Sequence, residues 1–217
     1  MRERVSNAFF LAALVLMCCA GSLTLGTAKV MAQQHPMVAV AVVGGGYAVR
    51  LAVREIRDRQ TLHRLGAEGW QPVPADQPWP WLPLCERPDQ TRVRRAWTRT
   101  VDRLPLTVGE ITWDGNALSG SVRGWKGRGV FVVVKLPAPT EPMALRRPHR
   151  TIGTSHRLDS PAMHAAYEAD EIPPWTAQDD HLFTFHAFPG QLRADAVQVA
   201  VQRTLLVVRL LDLGPDR

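Results

Sequence analysis

The chain has 217 residues, 46% of them hydrophobic and 21% charged, with a formal net charge of +6. A chain of this size buries a real core without staples. Of its three cysteines, Cys18 and Cys19 fall in the N-terminal apolar segment, so Cys85 stands alone in the rest and a disulfide framework is excluded.

Arg2 and Arg4 precede an apolar run from Ala8 to Leu25, followed by Gly26-Thr27-Ala28 and then Val30-Met31-Ala32 before Gln33. Positive, apolar, then small residues is the order of an export signal. Residues 1–32 are therefore read as a signal peptide or an N-terminal membrane anchor, since the run falls between the lengths of the two. A lipid anchor at Cys18 is disfavoured by Met17, which stands where a small residue is expected. In each reading Arg2 and Arg4 hold the N-terminus in the cytoplasm and the body is exported, periplasmic or extracellular. The stretch Met37–Val43 is too short for a second span.

The next segment, residues 33–74, reads as a small α+β unit. Tyr47, Val49, Leu51 and Val53 alternate with Ala48, Arg50, Ala52 and Arg54, the period-two pattern of a half-buried strand. Asp58 is placed to cap a short helix bearing Leu62 and Leu65, Gly66 to end it, and Trp70–Val73 to return as a strand. Tyr47 through Trp70, ending Leu62-His63-Arg64-Leu65-Gly66-Ala67-Glu68-Gly69-Trp70, resembles a small bacterial domain family of unknown function. That family has a strand, a helix, a Leu-Gly-Ala-Glu-Gly-Trp turn and a second strand. The resemblance implies a compact α+β unit and brings no catalytic residues with it.

Prolines 72, 74, 78, 80, 83 and 88 with Trp79 and Trp81 mark residues 75–98 as a stiff linker. Trp79-Pro80-Trp81 offers a stacking surface for carbohydrate or peptide, or else folds back over the edge of a neighbouring core. Cys85, between Leu84 and Glu86, reads as a half-buried small hydrophobe.

Residues 99–217 read as a mainly β domain of sandwich or barrel kind, which makes the whole chain α+β, mainly β. Leu106–Trp113 and Ala117–Val122 flank the turn signal Asp114-Gly115-Asn116, as in a hairpin. Val130–Val134 is a branched run suited to a strand buried on both faces. Residues 137–175 are expected to form a long loop, relieved by a short helix that Ser160 caps and Pro161 begins. Leu182–Phe188, Leu192–Val201 and Thr204–Leu211 are expected as three strands. A helix over Arg193–Leu211 is disfavoured by Val197, Val199 and Val201 alternating with polar and small residues.

Two groups of side chains are candidates for chemistry. Gly124, Gly127 and Gly129 with Arg123, Lys126 and Arg128 offer backbone amides and cations to an anionic group. The second group is a metal-assisted hydrolase reading that uses His149, His156, His181 and Asp180. His164 and His186 lie nearby in sequence, but no His-Glu-x-x-His or other ligand spacing is present. Neither a Gly-x-Ser-x-Gly elbow nor a phosphate loop occurs. Basic clusters also stand at Arg92-Arg94-Arg95-Arg99 and Arg146-Arg147-Arg150. Together with export they favour anionic envelope polymer or lipid headgroups over nucleic acid as partner. The reading that follows is an exported, non-catalytic cell-envelope binding or structural module with a basic face and no cofactor. Arg123, Lys126 and Arg128 are its anion contacts, and Trp79 and Trp81 its stacking surface.

Overall fold

The computed structural model describes residues 36–118, 120–122, 124–188, 190 and 192–215. The export segment over residues 1–32 lies outside them. By their contacts the residues fall into two units, Met1–Ile56 and Arg57–Arg217.

In the first unit the described residues are helical. Helix α1 spans Pro36–Ala67, so the strand expected over Tyr47–Val53 is absent. Exposure explains the difference. In the first unit Tyr47 and Leu51 are exposed and Val49 and Val53 half-buried; in the second, Asp58 is half-buried and Thr61 and Leu65 are buried. Steps of three to five residues are the helical period, and the alternation read as a strand was a coincidence of composition. Between Tyr47 and Leu65 most of the other positions are Ala, Arg, Leu, Glu or Gln, all good helix formers. No helix among the described residues is long and apolar enough to cross a membrane.

From Arg57 onward α1 belongs to the second unit. Asp58 is not a cap but a mid-helix residue, 3.4 Å from the Arg95 guanidinium. The helix ends past Gly66, with Gly69 at φ +84°. Trp70 N–H donates to Leu65 O and Gly69 N–H to Gly66 O, each at 3.0 Å. These are the two bonds of a Schellman ending, in which the left-handed position falls to glycine. Leu65 and Trp70 are both buried in one core, so the Leu-Gly-Ala-Glu-Gly-Trp segment closes the helix onto that core.

Trp70 leads into β1 (Gln71–Val73), which pairs antiparallel with β2 (Thr91–Val101). β2 pairs with β3 (Leu104–Trp113), β3 with β4 (Gly127–Arg146), and β4 with β6 (Trp175–Ala187), all antiparallel. A short β5 (Arg150–Ile152) pairs with the far end of β4. The α+β, mainly β class stands, as one six-stranded sheet rather than a sandwich or barrel. β4 continues well into the expected loop, so much of residues 137–175 is strand. Helix α2 (Pro161–Glu168) is capped as foreseen, Ser160 accepting from the Met163 N–H. Residues 117–118 and 120–122 form turns and a bend instead of a strand, and the hairpin partner of β3 is β4, with Trp113 opposite Gly127.

Residues 194–210 form helix α3, not strands. Its buried residues, Ala194, Val197, Ala200, Val201, Thr204, Leu205, Val207 and Val208, recur every three to four positions, while Val199 is half exposed. Valine alternation here is subordinate to an i, i+3, i+4 stripe. That stripe packs with Val130, Val132, Val134 and Leu182 on one face of the sheet. Phe131, Val133, Phe183 and Phe185 face the other way, where Trp79 and Trp81 cover them. The expected linker is thus a lid on the second face of the sheet.

A polar contact crosses the α3 interface. Thr184 Oγ1 lies 2.7 Å from Thr204 Oγ1 and 3.0 Å from His186 Nε2, and the Thr204 hydroxyl donates to Ala200 O at 2.8 Å. His186 keeps a partly exposed edge. Burial, with the Arg203 charge adding to it, pushes its pKa down to about 3. Between that value and the ordinary one near 6.5, the unfolded chain takes up a proton that the folded chain refuses, so stability falls as pH drops through this window. Replacing His186 by Gln removes the proton uptake. Wild-type stability, read by urea melts, should therefore fall more steeply between about pH 6.5 and 4 than that of H186Q, by up to about 1.4 kcal/mol per pH unit. Equal slopes would disprove the assignment.

Candidate functional site

Two of the three expected anion contacts meet in one groove. β3 ends at Trp113, and β4 begins at Gly127 with Arg128 beside it, so the intervening turn brings Lys126 back over Asp114. Lys126 Nζ donates to Asp114 Oδ2 at 2.8 Å, and Trp113 Nε1 donates to Gly124 O at 3.3 Å. These bonds close the turn. Arg128 Nη1 donates to Gly190 O at 3.0 Å, from the segment after β6. Gly127 has no room for a side chain: a Cβ there would lie 2.5 Å from the Trp113 ring. The resulting groove of about 780 Å³ is lined among others by Asp89, Arg92, Trp113, Lys126, Arg128 and Phe188.

Its charges are unevenly matched. The Lys126 hydrogen bond, with the Gly115 N–H, holds the Asp114 carboxyl below its usual range, and Asp114 raises Lys126 in turn. That pair neutralises itself. Arg92 and Arg128 form no ion pair among the described residues, and Asp89 is the groove's remaining carboxylate. The excess is positive. Arg123 lies outside the described residues. Sequence reasoning named Arg92 in a cluster without placing it here; the strand register does so, with Arg92 opposite Thr112, one residue before Trp113.

Trp79 and Trp81 are not in this groove. They are 6% and 1% exposed, stacked 6.4 Å apart, with Trp79 4.8 Å edge-on to Phe131 and Trp81 5.3 Å from Phe185. Trp79 Nε1 donates to Ala75 O at 3.0 Å. Of the two readings of this pair, folding back over a core fits the burial.

The histidines divide between separate sites. His149, in the turn from β4 to β5, stacks on His164 of α2, with His149 Nε2 2.9 Å from His164 Nδ1. His164 Nε2 lies 2.7 Å from Leu158 O, an acceptor only, so that nitrogen carries the proton. With both rings neutral, this makes His164 Nδ1 the acceptor from His149 Nε2–H and His149 Nδ1 the lone-pair nitrogen. It faces Glu168 Oε1 at 3.9 Å. One nitrogen and one carboxylate fall short of the three or four protein ligands that a zinc site takes. His181 Nδ1 lies 2.7 Å from Asp180, which also pairs with Lys135 at 3.0 Å; the Lys135 hydrogen bond lowers the Asp180 pKa. His156 is exposed in a short 3-10 turn. Among the described residues no group of three or more His, Cys, Asp or Glu converges as for a metal ion.

Cys85 is half-buried, its Sγ 3.6 Å from Trp81 O. Burial pushes the thiol up to about 11, only partly opposed by Arg146. A thiol so raised is a weak nucleophile at neutral pH.

Compared with known proteins, the chain matches no family model, no curated protein and no solved structure.

The Trp pair lends itself to a direct check. Trp79→Ala and Trp81→Ala should each cost about 3–5 kcal/mol in denaturant unfolding, as buried aromatics do. Variants as stable as the wild type would return these residues to the surface.

Proposed function

We propose that the chain is an exported, non-catalytic cell-envelope module that binds anionic polymer or lipid headgroups through the groove of Arg92, Lys126 and Arg128. The observation that carries this is the pair of guanidinium groups, Arg92 and Arg128, lining an open groove without carboxylate partners among the described residues. Planar guanidinium forks match phosphate and carboxylate bidentately. An open groove, unlike a closed cavity, accommodates a chain that continues at both ends. The positive, apolar, small-residue order of residues 1–32 supports export. A metal-assisted hydrolase on His149, His156, His181 and Asp180 has no convergent ligand set among the described residues behind it.

The test is co-sedimentation of the full chain with phosphatidylglycerol vesicles, with phosphatidylcholine vesicles as control for the apolar N-terminal segment. Binding to the anionic vesicles should exceed the control, weaken as salt rises, and fall about tenfold in the double variant R92Q/R128Q, the equivalent of about 1.4 kcal/mol. Equal retention by both vesicle types, or by wild type and variant, would overturn the groove as the binding surface.

A further inference from the structure

A second concavity lies on the tryptophan-covered face of the sheet, apart from the groove. It encloses about 340 Å³, and Trp81, Cys85, Ser121, Arg146, Arg150 and Phe185 are among its walls. The floor is aromatic: Trp81, Phe183 and Phe185 are 1%, 2% and 5% exposed. An apolar floor with a few placed polar groups is the usual constitution of a small-molecule site.

Its cations are in an unusual position. Arg146, the last residue of β4, stands directly opposite Arg150, the first of β5. Like charges directly opposite across a strand pair repel. Arg146 is half-buried, and its one side-chain hydrogen bond among the described residues runs from Nη1 to the Ser121 hydroxyl at 2.8 Å. It forms no ion pair among them. Burial lowers its pKa, as expected of a guanidinium lacking an anion. Glu86, the carboxylate on the rim, is exposed and pairs with neither arginine. Arg147 is engaged elsewhere, 3.7 Å from Asp170.

A second donor here is also unmatched. The indole N–H of Trp81 is buried with no partner among the described residues. Trp70 and Trp175 share that state, but Trp81 is the one of the three that lines this cleft. A buried donor left so costs about 1–3 kcal/mol, and a partly desolvated cation without a counter-charge is costly as well. The cleft thus combines an unmatched half-buried cation, a facing cation and an apolar base.

We propose that this cleft binds a small organic anion, a carboxylate or phosphate on a compact apolar body. Arg146 holds the charged group, Arg150 faces it from the mouth, and the aromatic floor takes the apolar part. The anion relieves the Arg146–Arg150 repulsion, so binding and local order at the β4–β5 turn rise together. This reading does not depend on the groove, because vesicle association and small-anion binding are measured separately.

Phenyl phosphate, benzoate, inorganic phosphate and benzyl alcohol are the probes, followed by ligand-observed NMR with the full chain. Phenyl phosphate and benzoate should show saturation transfer at about millimolar concentration, above benzyl alcohol for lack of the charge, and inorganic phosphate should displace them only at higher concentration for lack of the apolar body. Arg146→Gln should weaken the aryl anions about tenfold or more, the value of one charge-assisted hydrogen bond. Arg150→Gln, at an exposed position, should weaken them by a smaller factor and serves where R146Q does not fold. Benzyl alcohol binding as well as phenyl phosphate, no transfer from either aryl anion, or unchanged affinity in folded R146Q and R150Q would each overturn the proposal.

Discussion

Strand β4 cannot be left with either face in water. Val130, Phe131, Val132, Val133 and Val134 are all buried, and successive side chains of a strand point to opposite sides. Val130, Val132 and Val134 therefore demand a cover on one face, and Phe131 and Val133 on the other. With β3 and β6 on its two edges, β4 is also protected laterally. The rest of the second unit follows from meeting these demands. Helix α3 supplies the first cover with its valine and leucine stripe, together with Met163 of α2 and Leu65 of α1. No α-helix among the described residues packs on the second face, and the proline-rich segment carrying Trp79 and Trp81 covers it instead. Large rigid rings suit that task because they bury much area for little rotamer entropy.

Polar groups inside this frame tie its strands to one another and to α1. Glu110, 1% exposed, is opposite Arg95 in the strand ladder, and its Oε2 accepts from Arg95 Nη2 at 2.8 Å. Arg95 Nη2 also reaches Asp58 of α1 at 3.4 Å. The register of β2 slips between Val93 and Arg95, and such a bulge re-aims a side chain. Here Arg94 and Arg95 both come within ion-pair distance of Glu110. Buried pairs of this kind gain little net energy over apolar packing, but removing one partner strands the other. Thr61 adds a second tie from α1, its hydroxyl donating to Leu192 O at 3.3 Å ahead of α3.

Much of this was readable in the residues, and the failures share a cause. The doubly buried strand at Val130–Val134, the Ser160-Pro161 helix start, and the Trp70 turn each depend on local chemistry that the sequence displays openly. Tyr47–Val53 and Leu192–Leu211 break the strand expectation because valine favours strands only weakly, and in both segments the apolar residues satisfy period two and period 3.6 at once. In the second of them burial on one helical stripe decides the outcome. The Asp114-Gly115 turn signal is real as a turn, yet β3 pairs beyond it because Gly127–Val134 offers a longer apolar ladder than Ala117–Val122. Lys126 and Arg128 came together as spacing suggested, since they flank the start of one strand. Arg92 and the Arg146–Arg150 pair depend on strand register, which no local pattern announces.

Both basic sites follow from the ends of β4. A strand of twenty residues (Gly127–Arg146) whose middle is committed to two cores has chemical freedom only where pairing starts and stops. Arg128 stands at its first residues and Arg146 at its last. One end meets the β3 turn and the segment after β6, and widens into a groove. The other meets the tight β5 return and the tryptophan cover, and narrows to a cleft with an aromatic base. The same apolar strand therefore holds two cationic mouths of different shape at its ends. An open groove leaves room for a polymer passing through, and a narrower cleft suits a compact anion, so the two proposed ligands differ as the two shapes do.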